Sequence, residues 1–154
     1  DNLVGHKILH IATHGKFVSG RPEDSFLVLG TGEKLAIPEI KTLQDLSNIH
    51  LVVLSACETA LGGADQDGVE ISGLSYYFLS NGAKAVMASL WSVDDASTSE
   101  LMAEFYRILA TSTAQKPMTK AEALRQAQLS LLREGGNFAR PYFWAPFTLI
   151  GNSL

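Results

Sequence analysis

The sequence predicts an α/β domain on a mostly parallel sheet. Three apolar runs predict it: residues 7–13, 49–55 and 83–91 have the length and the flanking turn residues of buried strands. Segments of helical period lie between and after them, and that alternation is the signature of α/β architecture. The chain has 154 residues, 46% of them hydrophobic, which is enough for one compact core.

The elements follow in order. The first strand, Lys7 to Thr13, leads into His14-Gly15. A turn-rich stretch, Ser19 to Asp24, comes next. Phe26 to Leu29 and Lys34 to Ile37 flank Gly30-Thr31-Gly32-Glu33, a hairpin with a loop of about four residues. Pro38 to Leu46 suits a short helix with proline in its first turn. The second buried strand leads into Cys57-Glu58-Thr59 and then a Gly- and Asp-rich stretch, 61–68. A helix over about Val69 to Leu79 ends at Asn81-Gly82.

After the third strand, Asp94-Asp95 opens a helix running to about Ala110. Its Leu101, Phe105, Ile108 and Leu109 share one face. Thr119-Lys120-Ala121-Glu122 has the capping-box pattern and starts another helix, which Gly135-Gly136 stops. Pro141 and Pro146 flank the aromatic segment Tyr142-Phe143-Trp144, and Phe147 to Gly151 reads as the last strand.

Composition excludes several function classes. The net charge is −4, and no basic stretch offers a nucleic-acid footprint. No run has the ~18 apolar residues of a membrane span. The first residues lack the cationic start and apolar centre of a signal peptide. The single cysteine forms no internal disulfide, which fits a reducing, cytoplasmic compartment where a thiol stays available. No Gly-x-Gly-x-x-Gly or Walker-type loop follows a strand, so a flavodoxin-like nucleotide module ranks last. His6, His10 and His50 lack the partners of a metal site, and His10 reads as a mid-strand residue. Neither a cofactor nor a metal is expected.

The chemistry points to His14 and Cys57. Each ends a predicted parallel strand, and ligand sites in open α/β sheets form along that edge. A cysteine of ordinary pKa, about 8.5, is only a few per cent ionised at neutral pH. An imidazole that takes its proton, and then stabilises the thiolate as imidazolium, makes it a nucleophile for acyl transfer. The N–H groups of Gly15 and Cys57 are a natural pair of oxyanion donors, since Gly15 has no side chain to block approach. The bland alternative is a buried, inert cysteine.

At these residues the chain resembles a known family. Ile11-Ala12-Thr13-His14-Gly15, Leu54-Ser55-Ala56-Cys57-Glu58-Thr59-Ala60, Gly82-Ala83-Lys84-Ala85-Val86, Ser89-Leu90-Trp91-Ser92-Val93-Asp94 and Tyr142-Phe143-Trp144-Ala145-Pro146-Phe147 are similar to motifs of the CHAT family. These are caspase-like domains often joined to tetratricopeptide repeats, mostly in bacteria. The resemblance covers about residues 7 to 151. It implies a three-layer α/β/α fold. It also implies His14 as base or proton shuttle, Cys57 as nucleophile, and the Gly15 and Cys57 N–H groups as oxyanion hole. Further strands would precede the His-bearing one, so this chain would be the C-terminal catalytic part of a larger domain. The cysteine context is Ser-Ala-Cys-Glu-Thr, which departs from the caspase pattern. Preference for aspartate at P1 therefore does not carry over.

The resemblance further implies that Trp91-Ser92-Val93-Asp94 lines the substrate cleft. An Asp94 carboxylate there would favour a basic P1 side chain, with Asp65, Asp67 and Glu70 adding acidity. Against this, Asp94 is also a good helix N-cap, loop carboxylates are usually solvated, and Trp91 suits core or cleft wall. The expected function is a cysteine endopeptidase acting on a protein or peptide, regulated by a partner or an upstream repeat domain. The alternative is a silent caspase-like scaffold. An apolar edge at residues 7–13 would drive pairing with the missing part of the domain, with a partner, or with a second copy.

Overall fold

The computed structural model describes residues 5–16, 18, 21–42, 45–55, 69–134 and 136–154. At its centre, strands β1 (Ile8–Ile11), β5 (Leu51–Leu54) and β6 (Ala85–Ser89) run parallel, and β7 (Phe147–Gly151) runs antiparallel to β6, which makes a four-stranded sheet in the order β1-β5-β6-β7. The expected mostly parallel sheet is therefore present. Every residue of β5 and β6 is buried. Strands covered on both faces read as unbroken apolar runs, as these do.

Helices cover both faces. On one side α1 (Val69–Ser80) and a 3-10 segment, Ile37–Thr42, close a core of Ile37, Ile40, Leu46, Val52, Leu54 and Phe78. On the other side α2 (Asp95–Leu109) and α3 (Lys120–Glu134) close a core of Leu51, Val53, Met87, Leu101, Phe105 and Leu131. The alternation of side chains along each strand sorts the two sets. The result is three layers, α/β/α.

A second sheet was legible only in part. β3 (Phe26–Val28) and β4 (Lys34–Ala36) form the expected hairpin, and the two-residue β2 (Gly15–Lys16) adds to β3. The first strand is shorter than the apolar run suggests. After Ile11 the chain leaves β5 and turns into β2, where the His14 carbonyl accepts the Val28 N–H at 2.8 Å. Where a helix over Pro38 to Leu46 is expected, the described residues form a 3-10 segment, Ile37–Thr42.

The helix ends follow local chemistry. At α2, Asp94 is the N-cap: its Oδ1 accepts the Ser97 N–H at 2.9 Å. At α3 the capping box is half made. Thr119 Oγ1 accepts the Glu122 N–H at 3.1 Å, while the Glu122 carboxylate turns to Arg125 and Gln126. Past α1, Gly82 adopts φ +105, a conformation that favours glycine. A single helical turn, α4 (Pro141–Trp144), carries the aromatic segment. β1 lies at the sheet edge and pairs with β5 alone among the described residues. Ile8 on it is 37% exposed.

Candidate active site

A cleft of about 570 Å³ opens at the C-terminal ends of the parallel strands. His10, Ala12, Thr13 and His14 line it from β1 and the segment after it, and Ser55 from the end of β5. The opposite wall is Ser92, Val93, Asp95, Thr98, Ser99 and Met102, from the segment after β6 and the first turns of α2. The position is the one that parallel α/β topology favours for ligands.

His14 stands at this opening, and its carbonyl is fixed by β3. Gly15 follows it, buried, as the first residue of β2 opposite Leu27. Cys57, Asp65 and Asp67 lie outside the described residues. Glu70 belongs to the first turn of α1, and its side chain is likewise outside the described set.

The post-β6 segment divides its roles differently from the expectation. Ser92 and Val93 line the cleft. Asp94 turns its carboxylate back onto the helix as a cap, and the acid that lines the cleft is its neighbour Asp95. Trp91 donates its indole N–H to the Tyr142 carbonyl at 3.1 Å, so it braces the segment against α4. An N-cap side chain folds toward the first-turn N–H groups, and that geometry turns Asp94 Oδ1 onto the helix.

Sequence reasoning missed a second histidine. His10 Nε2 lies 3.1 Å from Ser55 Oγ, and His10 Nδ1 lies 3.0 Å from the Tyr106 hydroxyl. The two rings sit tilted with centroids 5.7 Å apart. Burial pushes the His10 pKa below its usual value, so the ring is neutral near pH 7. Burial also pushes the Tyr106 phenol up to about 12, which keeps it protonated. Serine and tyrosine hydroxyls both donate and accept, so either neutral tautomer satisfies both bonds.

The signal was available in the period of the strand. Side chains two apart share a face. His10 thus lies on the side of Ala12 and His14, away from Leu9 and Ile11, which pack on the α1 core. No cluster of three metal-ligating side chains occurs among the described residues, and no described helix is long and apolar enough to cross a membrane.

The CHAT domain model matches residues 2–152. The chain is also similar to tetratricopeptide repeat protein 28 of Mus musculus, 32% identical over 107 residues, and to its Homo sapiens counterpart, 30% identical over 106 residues. Those alignments cover 70% and 69% of this chain and 4% of either relative, so the chain spans a small part of proteins named for their repeats. With the three-layer fold, the cleft at the strand ends and a match over nearly every residue, the chain belongs to the CHAT domain family, a family of caspase-like fold.

Proposed function

We propose that the protein is a cysteine endopeptidase in which His14 activates Cys57. One observation carries the reading: the cleft at the C-terminal ends of the parallel strands is lined both by His14, after β1, and by Ser55, at the end of β5. β1 and β5 are neighbours, Ile11 pairing with Leu54 and its carbonyl accepting the Ser55 N–H at 3.2 Å. Cys57 follows Ser55 by two positions in the chain. A nucleophile and its base need to come within hydrogen-bond reach, and a histidine at the rim to which the cysteine-bearing strand leads supports that pairing.

The chemistry is acyl transfer. His14 takes the Cys57 proton, and the thiolate attacks the peptide carbonyl. The resulting oxyanion is received by the N–H groups of Gly15 and Cys57. The imidazolium then protonates the leaving amine, and water, deprotonated by His14, hydrolyses the thioester. Asp95, at the cleft wall, supports a preference for a cationic P1 side chain through charge-assisted hydrogen bonding. The side of β1 that pairs with no strand among the described residues is where a strand from an upstream segment or from an activating partner would add.

Cys57→Ala tests the reading. The variant loses all cleavage of a protein substrate that the unaltered protein cuts, with the fold unchanged by circular dichroism. Undiminished cleavage by that variant removes the proposal.

A further inference from the structure

We propose that His10 is a positioning residue of this site, which fixes the end of β5 through Ser55 and is itself held by Tyr106 on α2. The inference rests on the cysteine peptidase reading and extends it. Three elements meet at this ring: β1 carries His10, β5 ends at Ser55, and α2 carries Tyr106. Each of the three also contributes to the cleft lining, β5 through Ser55 at its end. Ser55 stands two residues before Cys57 in the chain, the last described residue on that side. Orienting it constrains where the chain goes next.

The ring acts as a strut. His10 is exposed at the cleft, and both of its ring nitrogens nonetheless lie within hydrogen-bond distance of protein hydroxyls, Ser55 on one side and Tyr106 on the other. Tyr106 is anchored in turn: its ring packs edge-on against Phe105, centroids 5.2 Å apart, and Phe105 is fully buried in the α2-side core. The chain of contacts therefore runs from an immobile core residue to the strand end that precedes the nucleophile. A base takes its proton from the group it activates. His10 instead touches a hydroxyl that is not part of the proposed dyad. Its effect on chemistry passes through Ser55, and His14 remains the base.

The test reads the thiol directly. Alkylation of Cys57 by iodoacetamide is followed against pH by mass spectrometry of the peptide that carries it, in the full chain and in Tyr106→Phe, Ser55→Ala, Ser55→Thr and His14→Ala. Melting is recorded in parallel. Tyr106→Phe and Ser55→Ala each delete one oxygen and leave the packing in place. Both are expected to slow alkylation at pH 7 by about threefold to tenfold, the worth of one neutral hydrogen bond. Both also move the apparent thiol pKa up toward that of free cysteine, about 8.5. Ser55→Thr keeps the hydroxyl and keeps the wild-type profile. A role in stability alone would lower melting and leave the pH profile where it was. If His14→Ala shifts the profile while Tyr106→Phe and Ser55→Ala do not, the His10 inference falls and the dyad stands. If the thiol is indifferent to His14→Ala as well, both fall.

Discussion

Asp94 and Asp95 are adjacent acids in different places, one capping α2 and the other lining the cleft, and under the proposed peptidase activity their substitutions separate. Asp94 Oδ1 accepts the Ser97 N–H at 2.9 Å at the start of a 15-residue helix. Replacing such a cap by alanine costs about 1 kcal/mol. For a domain of this size that lowers the melting midpoint by about 2–4 °C. Asp95 belongs to the first helical turn, is exposed and lines the cleft. Asp95→Asn keeps the shape and removes the charge, so its effect on melting is within about 1 °C, since surface changes of this kind move stability little. Its effect is read in the substrate: an ion pair lost at a solvent-open wall is expected to raise KM about threefold for a peptide with P1 arginine and to leave a P1-alanine peptide unaffected. Calorimetry and steady-state cleavage of the two peptides give the four numbers. Asp94→Ala should move only melting and Asp95→Asn only KM. The reasoning is refuted if Asp94→Ala abolishes the arginine preference at unchanged melting while Asp95→Asn leaves it intact.

Two further substitutions test the fold that holds the cleft. A Cβ on Gly82 would lie 2.9 Å from the Ser47 backbone nitrogen, at φ +105, whereas a Cβ on Gly32, at φ +85, meets nothing within 4 Å. Both alanine variants carry the backbone strain of about 1 kcal/mol, and Gly82→Ala adds the clash. Chemical denaturation should place Gly82→Ala below Gly32→Ala, and equal losses would contradict the geometry. Glu122 titrates at about 2, held there by Arg125 with help from the Gln126 amide. A carboxyl depressed in the folded state adds stability that is complete above its unfolded pKa, near 4.5, and is lost as pH falls toward 2. The stability advantage of the native protein over Glu122→Gln should therefore shrink across that window and be flat above it. A constant difference from pH 2 to pH 7 would show that the ion pair is not formed in solution.

The buried strands were readable because burial on both faces leaves only apolar residues, as in Leu51-Val52-Val53-Leu54. The helices were readable from their periods and caps. Asp94, Thr119 and Gly82 act where the sequence puts them. What escaped is tertiary. β2 is two residues long and exists only because β3 is there to pair with it. Glu122 has the capping-box position, yet Arg125 one turn on competes for its carboxylate and takes it. His10 looked like a mid-strand residue because its value depends on Ser55 and Tyr106, 45 and 96 positions away. The candidate base was legible from its place after a strand. The ring beside it became visible only once the strands were set in register.

The aromatic segment near the C-terminus shows how a motif can matter without touching the site. Tyr142-Phe143-Trp144 sits on the single turn α4, and none of its three residues lines the cleft. Its carbonyls do the work instead. The Tyr142 carbonyl takes the Trp91 indole N–H, and the Pro146 carbonyl takes the Leu90 N–H at 2.8 Å. Trp144 secures the turn by donating its own indole N–H to Ala139 at 3.1 Å. Because β7 runs antiparallel to β6, the residues before β7 lie beside the residues after β6. That antiparallel strand is what brings α4 to the back of the segment 90–93. Ser92 and Val93 then face the cleft from a backbone anchored on both sides, by α4 behind and by the Asp94 cap ahead. The wall is held by contacts that lie about 50 residues further along the chain.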